Sequence, residues 1–200
     1  MAIHPCRANG HLASRSCPLA AAVLALACAL AAPASGAHSY DNSLEYEVKA
    51  AYLYKFAPFV QWPDAAFDGP AAPFTVCVIG PDPFGARLEQ ATAGQRLGAR
   101  PVVVRRLART DRLSGCQILY VKDPQGGGDS LARARGSPVL TVTDGGLSDS
   151  PAGVIAFLVV GARVRFRIDG AAARQNGLAI SSKLLRLSVP LPAVGPGASR

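Results

Sequence analysis

Histidine is scarce in this 200-residue chain: there are 3, and only His38 lies beyond residue 37. Ser–His–Asp and Cys–His nucleophiles both need an imidazole in reach, and His-based metal sites need several, so these chemistries are disfavoured by subtraction. No Cys-x-x-Cys pair is present, which argues against a dithiol redox catalyst. Charged residues make up only 17% against 50% apolar, which excludes a disordered, self-repelling chain. Aromatics are 6% and are not interleaved with the basic groups, so a stacking platform for nucleic acid is missing. There is no internal repeat and no second long apolar run after the first one. The length fits one domain, or at most two small ones.

That first run opens the account of what is there. Arg7 and Arg15 precede the charge-free stretch 19–30, and Ser35-Gly36-Ala37 supplies small residues before a cleavage point. Basic, apolar, then small is the order of a secretory signal peptide, and the run is short for a bilayer span. A buried N-terminal helix is the competing reading. A lipoprotein at Cys28 is disfavoured because Ala25 stands where a Leu is expected. The sequence therefore predicts a signal peptide over 1–37 with cleavage near Ala37, a periplasmic location, a domain over 38–190 and a flexible tail over 191–200.

Removing that leader leaves 19 basic and 13 acidic side chains, and two cysteines, Cys77 and Cys116. In an oxidising compartment the pair is most simply a disulfide, with two buried thiols as the alternative. A bond would require the strands carrying them to be neighbours. The basic residues fall into local groups at Arg105/Arg106/Arg109/Arg112 and Arg163/Arg165/Arg167. Alternation places the second group on one side of a strand, read as a solvated face rather than a phosphate-binding stripe. No nucleic-acid partner is expected.

Ser43, with Glu45 and Glu47 behind it, reads as a helix start, and Pro58 stops that helix near Ala57. Its second half, 50–56, is apolar almost all round, so it is either sandwiched or in contact with something else. Eight of the 13 aromatics lie within residues 40–67, a surplus that leaves some for an interface. Strands are predicted at 74–80, 102–107, 116–121 and 139–143. Helices fall between them up to about Ala91 and over 130–135. Strands 154–160 and 163–168 form a hairpin through Gly161-Ala162, a helical turn covers 170–175, and 178–187 starts strand-like and becomes a helix at Ser182. The fold class is α/β: a single domain with a mixed, mainly parallel sheet, an antiparallel edge hairpin and flanking helices.

Gly80-Pro-Asp-Pro-Phe-Gly85 has the glycine spacing of a phosphate loop but continues Ala86-Arg87, and its prolines remove backbone donors. Asp82, Asp123, Asp144 and Asp169 sit at strand ends, where Asp is usually a turn or cap residue. A small-molecule binding protein using the strand-end crevice around Gly80–Gly85 and Gly126–Gly128 remains the alternative function, with a carboxylate enzyme as a third.

The stretch Glu47-Val-Lys-Ala-Ala-Tyr-Leu-Tyr-Lys-Phe-Ala-Pro-Phe-Val-Gln-Trp-Pro63 resembles the opening signature of the YfiR-like periplasmic family. Phe74–Gly85, Cys116–Val121, Val164–Asp169 and Leu178–Leu187 resemble its later blocks in the same order. The resemblance implies a dimeric periplasmic regulator without enzymatic activity, and no cofactor or metal is expected. It would repress an inner-membrane diguanylate cyclase by binding its periplasmic sensor segment, and an outer-membrane lipoprotein would sequester it. Cys77 and Cys116 match one cysteine pair of the family, while the segment Asp144 to Gly153 lacks a second pair. Tyr54, Phe56, Phe59 and Trp62, with Ser182, Lys183 and Arg186, are the candidate residues for the partner or dimer interface.

Overall fold

Six consecutive buried residues in Phe74–Ile79 can satisfy both faces of a strand only if the sheet is covered on both sides. The computed structural model describes residues 37–123, 127–144 and 153–190, and it supplies that cover. Helix α1 (Ala37–Lys55) leads into a single 3-10 turn (Ala57–Phe59) and the short strand β1 (Val60–Gln61). Then follow β2 (Phe74–Ile79), α2 (Ala86–Thr92), β3 (Arg96–Leu97), β4 (Arg100–Leu107), β5 (Ile118–Val121), α3 (Gly128–Ala134) and β6 (Leu140–Asp144). The chain continues through β7 (Ile155–Val160), β8 (Arg163–Ile168), α4 (Gly170–Gln175), β9 (Ala179–Ile180) and α5 (Ser182–Leu187).

Seven strands form one sheet in the order β3-β4-β2-β5-β6-β7-β8, and β1 pairs with β9 in a separate ribbon. The central strands β4, β2, β5, β6 and β7 are mutually parallel, and β3 and β8 close the two edges antiparallel. Strand order therefore reverses between β2 and β5, the topological switch point of a doubly wound sheet. The expected mixed, mainly parallel sheet with an antiparallel hairpin is the observed one. The leader expected over 1–37, apart from Ala37 itself, and the tail expected over 191–200 lie outside the described residues.

Alternation along the strands separates two cores. Val76, Val78, Ile118, Tyr120, Leu140, Val142 and Phe157 face the side packed by α1, α2, α4 and α5. Cys77, Ile79, Leu119 and Val121 face α3, where Leu131 and Ala134 meet them. Ala50 and Leu53 on α1 and Phe56 just after it recur at three-residue spacing and are fully buried. Phe56 stacks on Tyr52 and packs edge-on against Phe166 at 5.1 Å between ring centroids. Parallel pairing places Cys77 opposite Leu119, and the Cys77–Cys116 disulfide bridges β2 to the residues entering β5 across a Cα–Cα distance of 5.8 Å.

Two expectations are corrected. Helix α1 starts at Ala37 rather than Ser43: Ser43 lies inside it, and its Oγ accepts from Arg87 Nη2 at 2.5 Å instead of capping. Arg163 and Arg165 are exposed as expected, but Arg167 is only 4% exposed. The first two sit toward the hairpin turn, whereas Arg167 lies opposite the small, buried Ala156 at the packed end of the ladder.

Candidate functional site

Pro58 ends α1, and the 3-10 turn closed by Phe59 N–H donating to the Phe56 carbonyl redirects the chain into an extended Val60. There it meets the far end of the sequence. Val60 pairs with Ile180 and Gln61 with Ala179, and Ser181 N–H donates to the Phe59 carbonyl at 2.8 Å. Ser181 then caps α5, its Oγ accepting from Lys183 N–H. The two segments proposed from sequence as an interface, 54–62 and 181–187, are therefore one contiguous structure.

Within it the candidate residues differ in access. Phe56 is 1% exposed and belongs to the core, so it offers a partner nothing; the apolar sweep of α1 is spent against β7 and β8. Tyr54, Phe59 and Trp62 are half-buried. Trp62 sets its ring edge against Phe74, with centroids 5.1 Å apart, and its Nε1 donates to the Gln117 carbonyl. Ser182, Lys183 and Arg186 are exposed, as are Leu185 (42%) and Leu187 (63%), which sequence reasoning passed over. Only Leu184 anchors α5. Together with Lys55, the ribbon and α5 carry three basic and no acidic side chains over 54–62 and 179–190. The surface is apolar and cationic.

The strand-end crevice is a different matter. Phe84, from the Gly80–Gly85 loop, is fully buried in the core between Tyr120 (4.6 Å between centroids) and Tyr46 (5.8 Å). Asp82 accepts from Phe84 N–H and pairs with Arg106, which also pairs with Glu89. Arg106 holds the Glu89 carboxyl below its ordinary value. Asp82 and Asp169 are the turn and cap residues expected, the latter accepting from Ala171 and Ala172 N–H at the start of α4. Gly126 lies outside the described residues.

Asp144, at the end of β6, is not a turn residue. Its Oδ1 accepts from Lys49 Nζ at 2.7 Å, and its Oδ2 accepts from the hydroxyls of Tyr46 (2.9 Å) and Tyr120 (2.7 Å). Lys49, 3% exposed, also pairs with Glu45. Burial first, then the Asp144 charge, drives both phenols far above the ordinary tyrosine range, so they stay protonated as donors. The cluster fastens α1 to the sheet. Its sequence signal was Lys49, a lysine directly ahead of the apolar second half of α1. Among the described residues no group of three His, Cys, Asp or Glu is placed to hold a metal ion, and no helix is long and apolar enough to cross a membrane.

These features define a cross-braced, doubly wound α/β domain whose polar cluster is internal and whose β1–β9 ribbon, half-buried itself, leads into the exposed helix α5. Residues 46–189 match the YfiR/HmsC-like family, and the chain belongs to it. The family points to a periplasmic regulator of diguanylate cyclase. No curated protein matches the chain.

Proposed function

We propose that this protein is a non-enzymatic periplasmic repressor, acting as a homodimer. It binds the periplasmic sensor segment of an inner-membrane diguanylate cyclase and thereby lowers cyclic-di-GMP signalling and biofilm formation. Release by an outer-membrane lipoprotein that sequesters it completes the cycle. The observation that carries this reading is the β1–β9 ribbon, which joins two distant segments of the family match into one face. The exposed Leu185 and Leu187, with Lys55, Lys183 and Arg186, suit a partner surface that is apolar and acidic. Repression follows if the inactive cyclase conformation is held more tightly than the active one. A tenfold shift in that equilibrium needs about 1.4 kcal/mol of differential affinity.

The test uses α5 rather than Phe59 or Trp62, because both of those side chains also pack against the core. Leu185→Ser with Arg186→Glu should leave the melting curve unchanged and abolish repression, read as cyclic-di-GMP level and surface attachment in cells. The variant should also no longer copurify with the cyclase. Full repression by the folded double variant would remove this face from consideration. The alternative is a small-molecule binding protein using the strand-end crevice, where the one aromatic of the Gly80–Gly85 loop, Phe84, is turned into the core rather than offered to a ligand.

A further inference from the structure

At the opposite end of the sheet from Asp144, the segment before β2, the β4–β5 loop and the turn after α3 enclose a cleft of about 450 Å³. That volume is in the range of small-molecule sites. Its lining combines apolar Leu113, Cys116 and Val139 with Arg112 and Arg133 and one carboxylate, Asp68. Arg133 reaches from α3 to donate to the backbone carbonyls of Asp111 and Arg109, which fixes its guanidinium without neutralising it. Among the described residues neither Arg112 nor Arg133 is in an ion pair. Asp68 Oδ2 lies 3.3 Å from where a Cβ on Gly115 would stand, at the cleft wall, and is in none of the ion pairs among the described residues. Two guanidinium groups in no ion pair thus face a single carboxylate in a concave, half-apolar site, which leaves the lining net cationic.

We propose that this cleft binds a small organic anion, a carboxylate carried on an aromatic or branched apolar body. The carboxylate is met by the planar forks of Arg112 and Arg133, and the body lies on the Leu113–Cys116 and Val139 side. The site lies at the other end of the strands from the Asp144 cluster, and its wall over 65–68 follows directly on the segment 54–62. Trp62, the chain's only tryptophan, reports on it: its Nε1 is bonded to the carbonyl of Gln117, and Gln117 Nε2 donates to the carbonyl of Ala66 in the cleft wall.

The experiment titrates the purified, oxidised protein at constant ionic strength with phenylacetate, phenethylamine or inorganic phosphate, reading Trp62 fluorescence and amide NMR shifts. Phenylacetate should saturate with a Kd of the order of 1 mM, with shifts centred on Leu113–Cys116 and Ala66. The amine should not bind, and phosphate should bind about tenfold more weakly because it leaves the apolar wall wet. Arg112→Ala should weaken phenylacetate about tenfold. Arg133→Lys, which keeps the charge but loses the fork, should weaken it several-fold, while Arg165→Ala on β8 leaves it unchanged. Absence of saturation, equal binding of the amine or phosphate, or indifference to Arg112→Ala would each overturn the assignment.

Discussion

Asp144 gathers an ammonium and two phenols onto one carboxylate, so its removal strands three donors at once. Asp144→Ala should cost about 3 kcal/mol in urea unfolding, because Lys49 is then a buried charge facing only Glu45. Adding Lys49→Met to that background should restore part of the loss, and a purely additive pair would show that the two do not act together. The same cluster sets a pH dependence. A phenol raised above its ordinary value of 10.0 keeps a proton in the fold that the unfolded chain releases. Its contribution to stability is complete below pH 10.0 and is lost as pH climbs past that point. In a base titration Tyr46 and Tyr120 should therefore develop tyrosinate absorbance only with unfolding. Ionisation of every tyrosine at the ordinary value in a still-folded protein would refute this. None of it was readable from Asp144 alone, which has the look of a strand-end turn residue; the contact spans 95 positions from Lys49.

Among the elements, the apolar runs of β2, β5 and β6 were legible because a strand buried on both faces has little polar alternation to confuse it with a surface strand. The hairpin was legible from Gly161-Ala162, whose φ values of 54° and 57° place both turn residues in the left-handed region. Ala162 carries a steric cost there, so Ala162→Asn should raise stability by about 0.5–1 kcal/mol by chemical denaturation. Stability unchanged or lowered would show that the turn is not under strain. The two-residue strands β1 and β3 were not legible, since two residues carry no period. The start of α1 was missed for a related reason: Ser43 is as good a cap as any serine, and only its bond to Arg87 in α2 shows that the hydroxyl is engaged elsewhere. The candidate face was half legible. Its segments stood out by their aromatics and by family resemblance, but no local pattern joins β1 to β9, and none distinguishes the buried Phe56 from the exposed Leu187.

At the level of the whole molecule, the Cys77–Cys116 bridge ties the strands on either side of the switch point, where the two halves of the sheet diverge. Closing a separation of 39 residues should be worth about 4 kcal/mol on the chain-entropy account. Cys77→Ala with Cys116→Ala should lose about that much in guanidinium unfolding, and reductant should lower the wild type to match. An unchanged transition midpoint would deny the bridge a structural part. Cysteine arithmetic anticipated this bond, whereas the ribbon had no such herald and has the longer reach. Val60 finds its partner at Ile180, about 120 residues downstream. A chain threaded N-terminus first across the inner membrane presents that extended stub before its mate has crossed. Every copy thus passes through an interval in which one sticky edge awaits closure, and a premature stop upstream of Ala179 would leave it gaping permanently.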